Sequence, residues 1–372
     1  MHFSMLSSEI ITSAPGRICL FGEHQDYLGL PVIAAAISRR VQVSGRLRPD
    51  RQVIIHMPDT SERAEFELEN VISYQHAREY FKSALNRLVQ KGYSFPTGFE
   101  VTIRGNIPIN SGTSSSSALV VAWINWLLTS TRQGTGVTQA EIGELAYEAE
   151  VLEFGEPGGR MDHYATAVGE VMYLESQPAI HLERFQPGLG AFVLGDSLEP
   201  KDTIGILKHV KYGMLEAIRK IRQQEPHFSL ATVLQETAPD YRKLLTDPEF
   251  RLLKSNLSDR DVLQEALTMF RTDRIHHQRL GELLNTHQDN LRDHKQVSTP
   301  KINRMIEASL KAGAYGAKIN GSGGGGCMFA YAPENPEAVA EAIERAGGKA
   351  YRIQVDTGTT VQYESHPVSV RL

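Results

Sequence analysis

Apolar residues along this chain follow two rhythms. Short runs of strand character lie at 10–12 and 18–21, flanking an expected turn at Pro15-Gly16. Others lie at 41–47 and 52–56, read as a pair joined by a turn at Pro49-Asp50, and at 99–103, 168–174 and 191–194. Helical spacing runs through 77–89, 119–128 and 139–152, and again through 204–221, 262–270, 275–285 and 301–312. Two short strands, 317–320 and 327–331, flank a glycine run; a helix at 337–346 and a last strand at 350–354 follow. Strands and helices mix without strict alternation, which predicts an α+β fold. No internal repeat is found. The interruption at Pro187, Gly188 and Gly190 suggests a division into 1–190 and 191–372.

The 372 residues suffice for two domains, and 41% hydrophobic with 22% charged residues supports a sizeable core. A formal net charge of −5 argues against a nucleic-acid partner but leaves room for a small anionic ligand held by a few local cations. Only two cysteines occur, Cys19 and Cys327, each in an apolar run, which suggests packing in a reducing compartment. The first ten residues carry no signal-peptide pattern, and no apolar run reaches membrane-spanning length. A cytoplasmic protein without a membrane partner is expected.

Four segments carry candidate chemistry. In the first, Asn110, Ser111, Gly112, Thr113 and the serines Ser114, Ser115, Ser116 and Ser117 precede an apolar helix. Small residues expose backbone N–H groups and the helix adds its positive end, which makes a cradle for a polyphosphate; a serine-capped turn is the plainer alternative. Ser116, at the helix start, offers a hydroxyl to Mg²⁺. There is no G-x-x-x-x-G-K-[ST] signature, so this is not a Walker-type loop. In the second, a strand holding Arg17 runs into Glu23, His24 and Asp26, a mix of donors and acceptors suited to a polyol. In the third, Glu150 closes a helix and Asp162 follows a Pro-Gly-Gly turn; one carboxylate suits a metal, the other a substrate hydroxyl. The fourth holds Gly321, Gly323, Gly324, Gly325 and Gly326 between two strands. A dinucleotide fingerprint is rejected there because no helix opens next, and a tight turn approaching a ligand is favoured over a linker. His276, His277, His287 and His294 are read as lining solvated helix faces.

Together these segments resemble the GHMP small-molecule kinases, and within them the galactokinases: A-P-G-R…G-E-H-x-D-Y, a serine-rich loop, E…G-x-P-x-G-x-x-D and G-x-G-x-G-G-C stand in order across nearly the whole chain. G-E-H-x-D-Y is closer to galactokinases than to mevalonate or homoserine kinases. The resemblance implies two lobes, an N-terminal one like ribosomal protein S5 domain 2 and a C-terminal ferredoxin-like one, with ATP, Mg²⁺ and sugar meeting between them. It implies that Arg17, Glu23, His24, Asp26 and Asp162 bind sugar, that 110–117 wrap the phosphates, that Ser116 and Glu150 hold Mg²⁺, and that Asp162 and Arg17 are catalytic. Galactose is one implied acceptor; arabinose, fucose, galacturonate and N-acetylgalactosamine are others, and a non-catalytic sugar and ATP sensor is a further alternative.

Departures fall in three places. Thr113 and Ser117 stand where the family usually has Leu and Ala. Arg160 precedes Met161-Asp162 as an added cation, expected to pair with Asp162 or to meet an acidic sugar. The segment 197–201 lacks the family's Asn-rich pattern.

Overall fold

The structure, a computed structural model, describes residues 8–108, 112–131, 133–201, 205–206 and 208–365. Its elements begin with β1 (Ser8–Phe21), β2 (Val32–Leu47), β3 (Gln52–Met57), β4 (Glu62–Glu67), α1 (Tyr80–Gln90), β5 (Phe99–Gly105), α2 (Ser115–Thr131), α3 (Gln139–Tyr147) and α4 (Met161–Val168). Then come β6 (Val171–Glu175), β7 (His181–Phe185), β8 (Phe192–Asp196), β9 (Gly316–Ile319), β10 (Cys327–Tyr331), β11 (Lys349–Ile353) and β12 (Thr360–Ser365). Helices Gly213–Arg222, Asp247–Thr272, His277–Asp289 and Pro300–Lys311 separate β8 from β9, and Pro336–Arg345 separates β10 from β11.

Among the described residues one sheet has the order β12-β1-β2-β5-β3-β4, with β6 also on β2 and β7 on β6; a second has the order β11-β8-β10-β9. The second sheet begins with β8, near the expected division. The last strand, β12, crosses that division and pairs with β1 along Ser8 to Ser13. It is absent from the sequence reading, which ended the strands at 354.

Two expected turns are corrected. Pro15-Gly16 lies inside β1, with only a local register irregularity between Pro15 and Arg17. A Cβ on Gly16 would stand 2.9 Å from the Thr113 carbonyl oxygen, so the glycine admits a loop rather than turning the chain. The turn at Pro49-Asp50 does not join a β2–β3 pair, because β5 lies between those strands.

The cores follow from side-chain periodicity. Helix α2 is apolar on nearly every side and is buried to match, with Trp123 and Trp126 stacked 5.8 Å apart and Phe99 set edge-on to both. β8 and β10 read as unbroken apolar runs because both of their faces are covered. Val193, Met328 and Ala330 face the C-terminal helices, whereas Phe192, Leu194, Phe329 and Tyr331 share a core with Ile18, Leu20 and Phe21 of β1. That shared core seats the second sheet against β1 where β1 delivers its polar end. Among the described residues no helix is long and apolar enough to cross a membrane, and Cys19 and Cys327 are buried without a disulfide.

Candidate active site

Three segments distant in sequence meet at the end of β1. Arg17, 3% exposed, sends Nε and Nη2 to the same oxygen of Asp162, Oδ1, at 2.9 and 2.8 Å. Its Nη1 donates to the Gly112 carbonyl, and its backbone N–H donates to the Thr113 carbonyl at 3.1 Å. Asp162 stands in the first turn of α4, where a negative charge suits the helix dipole, and a third of its side chain (34%) remains open. Burial opposes its ionisation most, but Arg17, His163 and Ser114 together overcome it and hold the carboxyl below its ordinary range. Ser114 has a left-handed backbone (φ 59°) immediately before α2, and its carbonyl accepts the first helical bond, from Ala118.

Asn320 fastens these parts together. Its Nδ2 donates to the Gly112 carbonyl at 2.9 Å while its Oδ1 accepts from the Cys19 backbone at 2.9 Å. The glycine turn that follows is pressed on the loop: a Cβ on Gly321 would stand 2.9 Å from the Gly112 oxygen. Gly321 and Gly323 to Gly326 all have positive φ, and the turn joins β9 directly to β10.

The serine loop is described from Gly112 onward; Asn110 and Ser111 lie outside the described residues. Ser115 is half-buried, Ser116 is exposed and Ser117 is buried at the start of α2. Glu150 is buried, with Oε2 bonded to His163 Nε2 at 2.7 Å. Its other oxygen makes no hydrogen bond among the described residues.

The acidic loop after β1 divides its duties. Asp26 faces the Pro-Gly-Gly turn so closely that a Cβ on Gly159 would fall 1.8 Å from Asp26 Oδ2. Burial, and then the charge of Asp162, push the Asp26 carboxyl up to about 6. Lys211 covers this corner, donating to the Pro157 carbonyl at 3.0 Å with its ammonium 5.0 Å from the Tyr27 ring centre. His24 has its ring nitrogens against the Tyr27 hydroxyl and the Ser322 carbonyl, at 2.7 and 3.0 Å. Burial, then Lys295, press its pKa down to about 3, so the ring is neutral.

Glu23 departs from expectation. It is 2% exposed, with Oε1 on the buried Lys318 ammonium and Oε2 covered by protein. Behind it lie Asp259, bonded by Lys295 at 2.6 Å, and His287, whose Nε2 is 3.7 Å from both Glu23 and Asp259. Glu23 therefore anchors the loop from inside instead of offering oxygens to a sugar. His287 is fully buried and stacked on Phe21 at 6.1 Å, which corrects its reading as a solvated residue; His276 is exposed, and His277 and His294 are half-buried. Arg160 is corrected too: it pairs with Glu144 at 2.9 Å and lies over the Tyr147 ring rather than pairing with Asp162.

Lys201 was missed by sequence reasoning. Its Nζ would be 2.9 Å from a Cβ on Gly112, and it feels the charges of Arg17 and Asp162. A lone lysine in a loop has no periodicity or spacing to mark it. The departure of 197–201 from the family pattern was the available signal.

Residues 79–170 match the GHMP kinases N-terminal domain, 264–350 the GHMP kinases C-terminal domain, and 2–47 the galactokinase galactose-binding signature. The chain is 31% identical to a mevalonate kinase of Thermococcus gammatolerans, covering 91% of this chain and 94% of that one. It is 27% identical to a galactokinase of Clostridium beijerinckii, covering 86% and 84%. The structure of Lactococcus lactis galactokinase complexed with galactose is similar at a TM-score of 0.82 and 25% identity, over 96% of this chain and 95% of that one. The mevalonate kinase of Methanococcus jannaschii shares the fold, at a TM-score of 0.70 and 17% identity over 93% and 98%. With both family domains matched in order and close relatives aligned over nearly the whole length, the chain belongs to the GHMP kinases, ATP-dependent phosphotransferases that act on an alcohol group.

Proposed function

We propose that this kinase transfers the γ-phosphoryl group of ATP to the anomeric hydroxyl of galactose or a related sugar. One observation carries the reading: Arg17 ties the open carboxylate of Asp162 to the carbonyl of Gly112, so an acceptor-binding acid and a phosphate-binding loop share one guanidinium. The galactose-binding signature spans Arg17, His24 and Asp26 and supports a sugar as the acceptor.

In this mechanism the amides from Gly112 to Ser117, with Asn110 and Ser111 before them, cradle the phosphates at the positive end of α2. Asp26 and His24 orient the sugar, and Asp162 Oδ2, which Arg17 leaves untouched, accepts the bond from the reacting hydroxyl. The low pKa of Asp162 makes it a weak base, so its larger contribution is to position and polarise that hydroxyl until the phosphoryl transfer itself acidifies it. Arg17 offsets the charge that spreads over the transferring group.

Ser116 and Glu150 fit Mg²⁺: both present oxygen, one hydroxyl is exposed, and one carboxylate oxygen makes no hydrogen bond among the described residues. Among those residues no cluster of three or more His, Cys, Asp or Glu is arranged to hold a metal alone. Mg²⁺ ordinarily completes its shell with water and phosphate oxygens, so a two-residue set is in keeping. When bound there it supplies neutralisation of phosphate charge. Buried, unbridged thiols agree with a cytoplasmic location.

A second reading is favoured by the mevalonate kinase relatives: the acceptor is the primary hydroxyl of mevalonate. Incubation with ATP, Mg²⁺ and a panel of galactose, arabinose, fucose, galacturonate, N-acetylgalactosamine and mevalonate, read by phosphorus NMR, tests both. A sugar 1-phosphate is expected; mevalonate phosphate with no sugar product would replace the reading, and binding without turnover would make the chain a sensor.

A further inference from the structure

We propose that Lys201 is the mobile cation of the reaction centre: its ammonium grips the terminal phosphoryl oxygens of ATP as that group leaves the Gly112 loop for the acceptor. The inference rests on the kinase reading above and adds a residue to it.

The lysine is held on a firm base. The segment leaving β8 is stitched to the glycine turn by Ser197 N–H to the Gly326 carbonyl at 2.9 Å and by Gly326 N–H to the Glu199 carbonyl at 3.1 Å. The Thr299 hydroxyl donates to Glu199 at 2.6 Å, and a Cβ on Gly325 would meet the Pro200 oxygen at 2.4 Å. Lys201 projects from this base over Gly112. Among the described residues its ammonium has neither a hydrogen-bond acceptor nor an ion-pair partner, so all three donors are uncommitted.

Charge balance says what those donors await. Lys201 feels the like charge of Arg17 and the opposite charge of Asp162 in a largely buried corner, with Asp26 beyond Asp162. Burial, and then the nearness of Arg17, bring the Lys201 pKa down to about 8, against the pull of Asp162 and Cys327. An arriving polyphosphate relieves that repulsion. Arg17 is poorly placed to follow a moving group, since Nε, Nη1 and Nη2 are all engaged by Asp162 and Gly112. A flexible lysine with free donors can follow it. In the step itself the bond from the γ-phosphorus to the β,γ-bridging oxygen breaks, and its electron pair leaves with ADP. A bond forms from the acceptor oxygen to phosphorus, and the hydroxyl proton passes to Asp162. Lys201 keeps its three protons throughout.

The test uses the full chain with Lys201→Met and Lys201→Arg. Lys201→Met is expected to lower kcat/KM for ATP by about 10²–10³-fold. It should also weaken binding of a non-hydrolysable ATP analogue much more than binding of ADP, whose affinity stays within about twofold of the parent. Lys201→Arg should recover activity to within about tenfold. In the parent, kcat/KM for ATP should fall above a pH of about 8 as the ammonium deprotonates, a limb absent from Lys201→Arg. Turnover of Lys201→Met near the parent rate, or a parallel loss of ADP and analogue affinity, overturns the proposal. A parent that phosphorylates no alcohol in the panel defeats the kinase reading instead, and the analogue-to-ADP ratio still decides Lys201.

Discussion

Arg17 meets Asp162 through a single carboxylate oxygen, Oδ1, and makes no contact with Oδ2, while a third of the Asp162 side chain stays exposed. A symmetric fork would have spent one acceptor site on each oxygen, so neither would be left wholly to a substrate. The one-sided clasp fixes the carboxylate in position, holds it ionised and keeps one acceptor available.

Replacing Asp162 by Asn keeps an acceptor for Arg17 and removes the charge. Turnover should drop about 10²–10⁴-fold, with acceptor affinity by calorimetry changed only a few-fold. Near-parent turnover would remove Asp162 from the chemistry.

The proposed contact of Asp26 with the acceptor predicts pH-dependent substrate binding. Its carboxyl is raised to about 6, so it is ionised above that pH and protonated below it. KM for the acceptor should rise as pH falls through 6, and Asp26→Asn should show a high, pH-independent KM. The sign for stability is opposite. A carboxyl raised in the folded protein carries a proton that the unfolded chain lacks between about 4 and 6, so folding stability declines as pH rises through that window. Asp26→Asn should therefore melt at a higher temperature than the parent at pH 7, and a lower one would contradict the assigned shift.

Glu150 depends on His163 for its orientation. His163→Ala should raise the Mg²⁺ concentration giving half-maximal activity by about 10–100-fold without altering KM for the acceptor. An unchanged Mg²⁺ requirement would separate Glu150 from the metal.

The buried Glu23–Lys318 pair anchors the acidic loop from behind. Lys318→Met strands a covered carboxylate and should cost about 3–5 kcal/mol of stability, read by chemical denaturation. Pairing it with Glu23→Gln should restore part of that loss. If the double variant is no more stable than Lys318→Met, the two side chains are not coupled.

The sequence made the local devices legible and left their mutual contacts hidden. The serine loop, the acid after the Pro-Gly-Gly turn and the glycine run each carry a short-range backbone reason for their composition, so letters alone located them. Pro15-Gly16 was misread because turn chemistry and close approach both call for glycine, and only the position of Thr113 distinguishes them. The inward role of Glu23 was invisible because its partner, Lys318, lies 295 residues away. Arg160 was drawn toward Asp162 by adjacency, but neighbours at the start of a helix point in different directions, and Glu144 on α3 claims it. β12 escaped notice because its exposed positions, Val361 and Tyr363 among polar residues, give little apolar signal.

β8 and β10 lend one face to a core built jointly with β1. A motion that separated the second sheet from β1 would have to open the apolar core that holds Phe192, Phe329 and Phe21. Adjustment to different acceptors then falls to the rim, where the 155–160 turn and the segment carrying Lys211 can be re-cut without disturbing this core, whereas the 23–27 loop is pinned from within by Glu23 and Lys318. A kinase of this architecture can change its alcohol while retaining its phosphoryl-transfer apparatus.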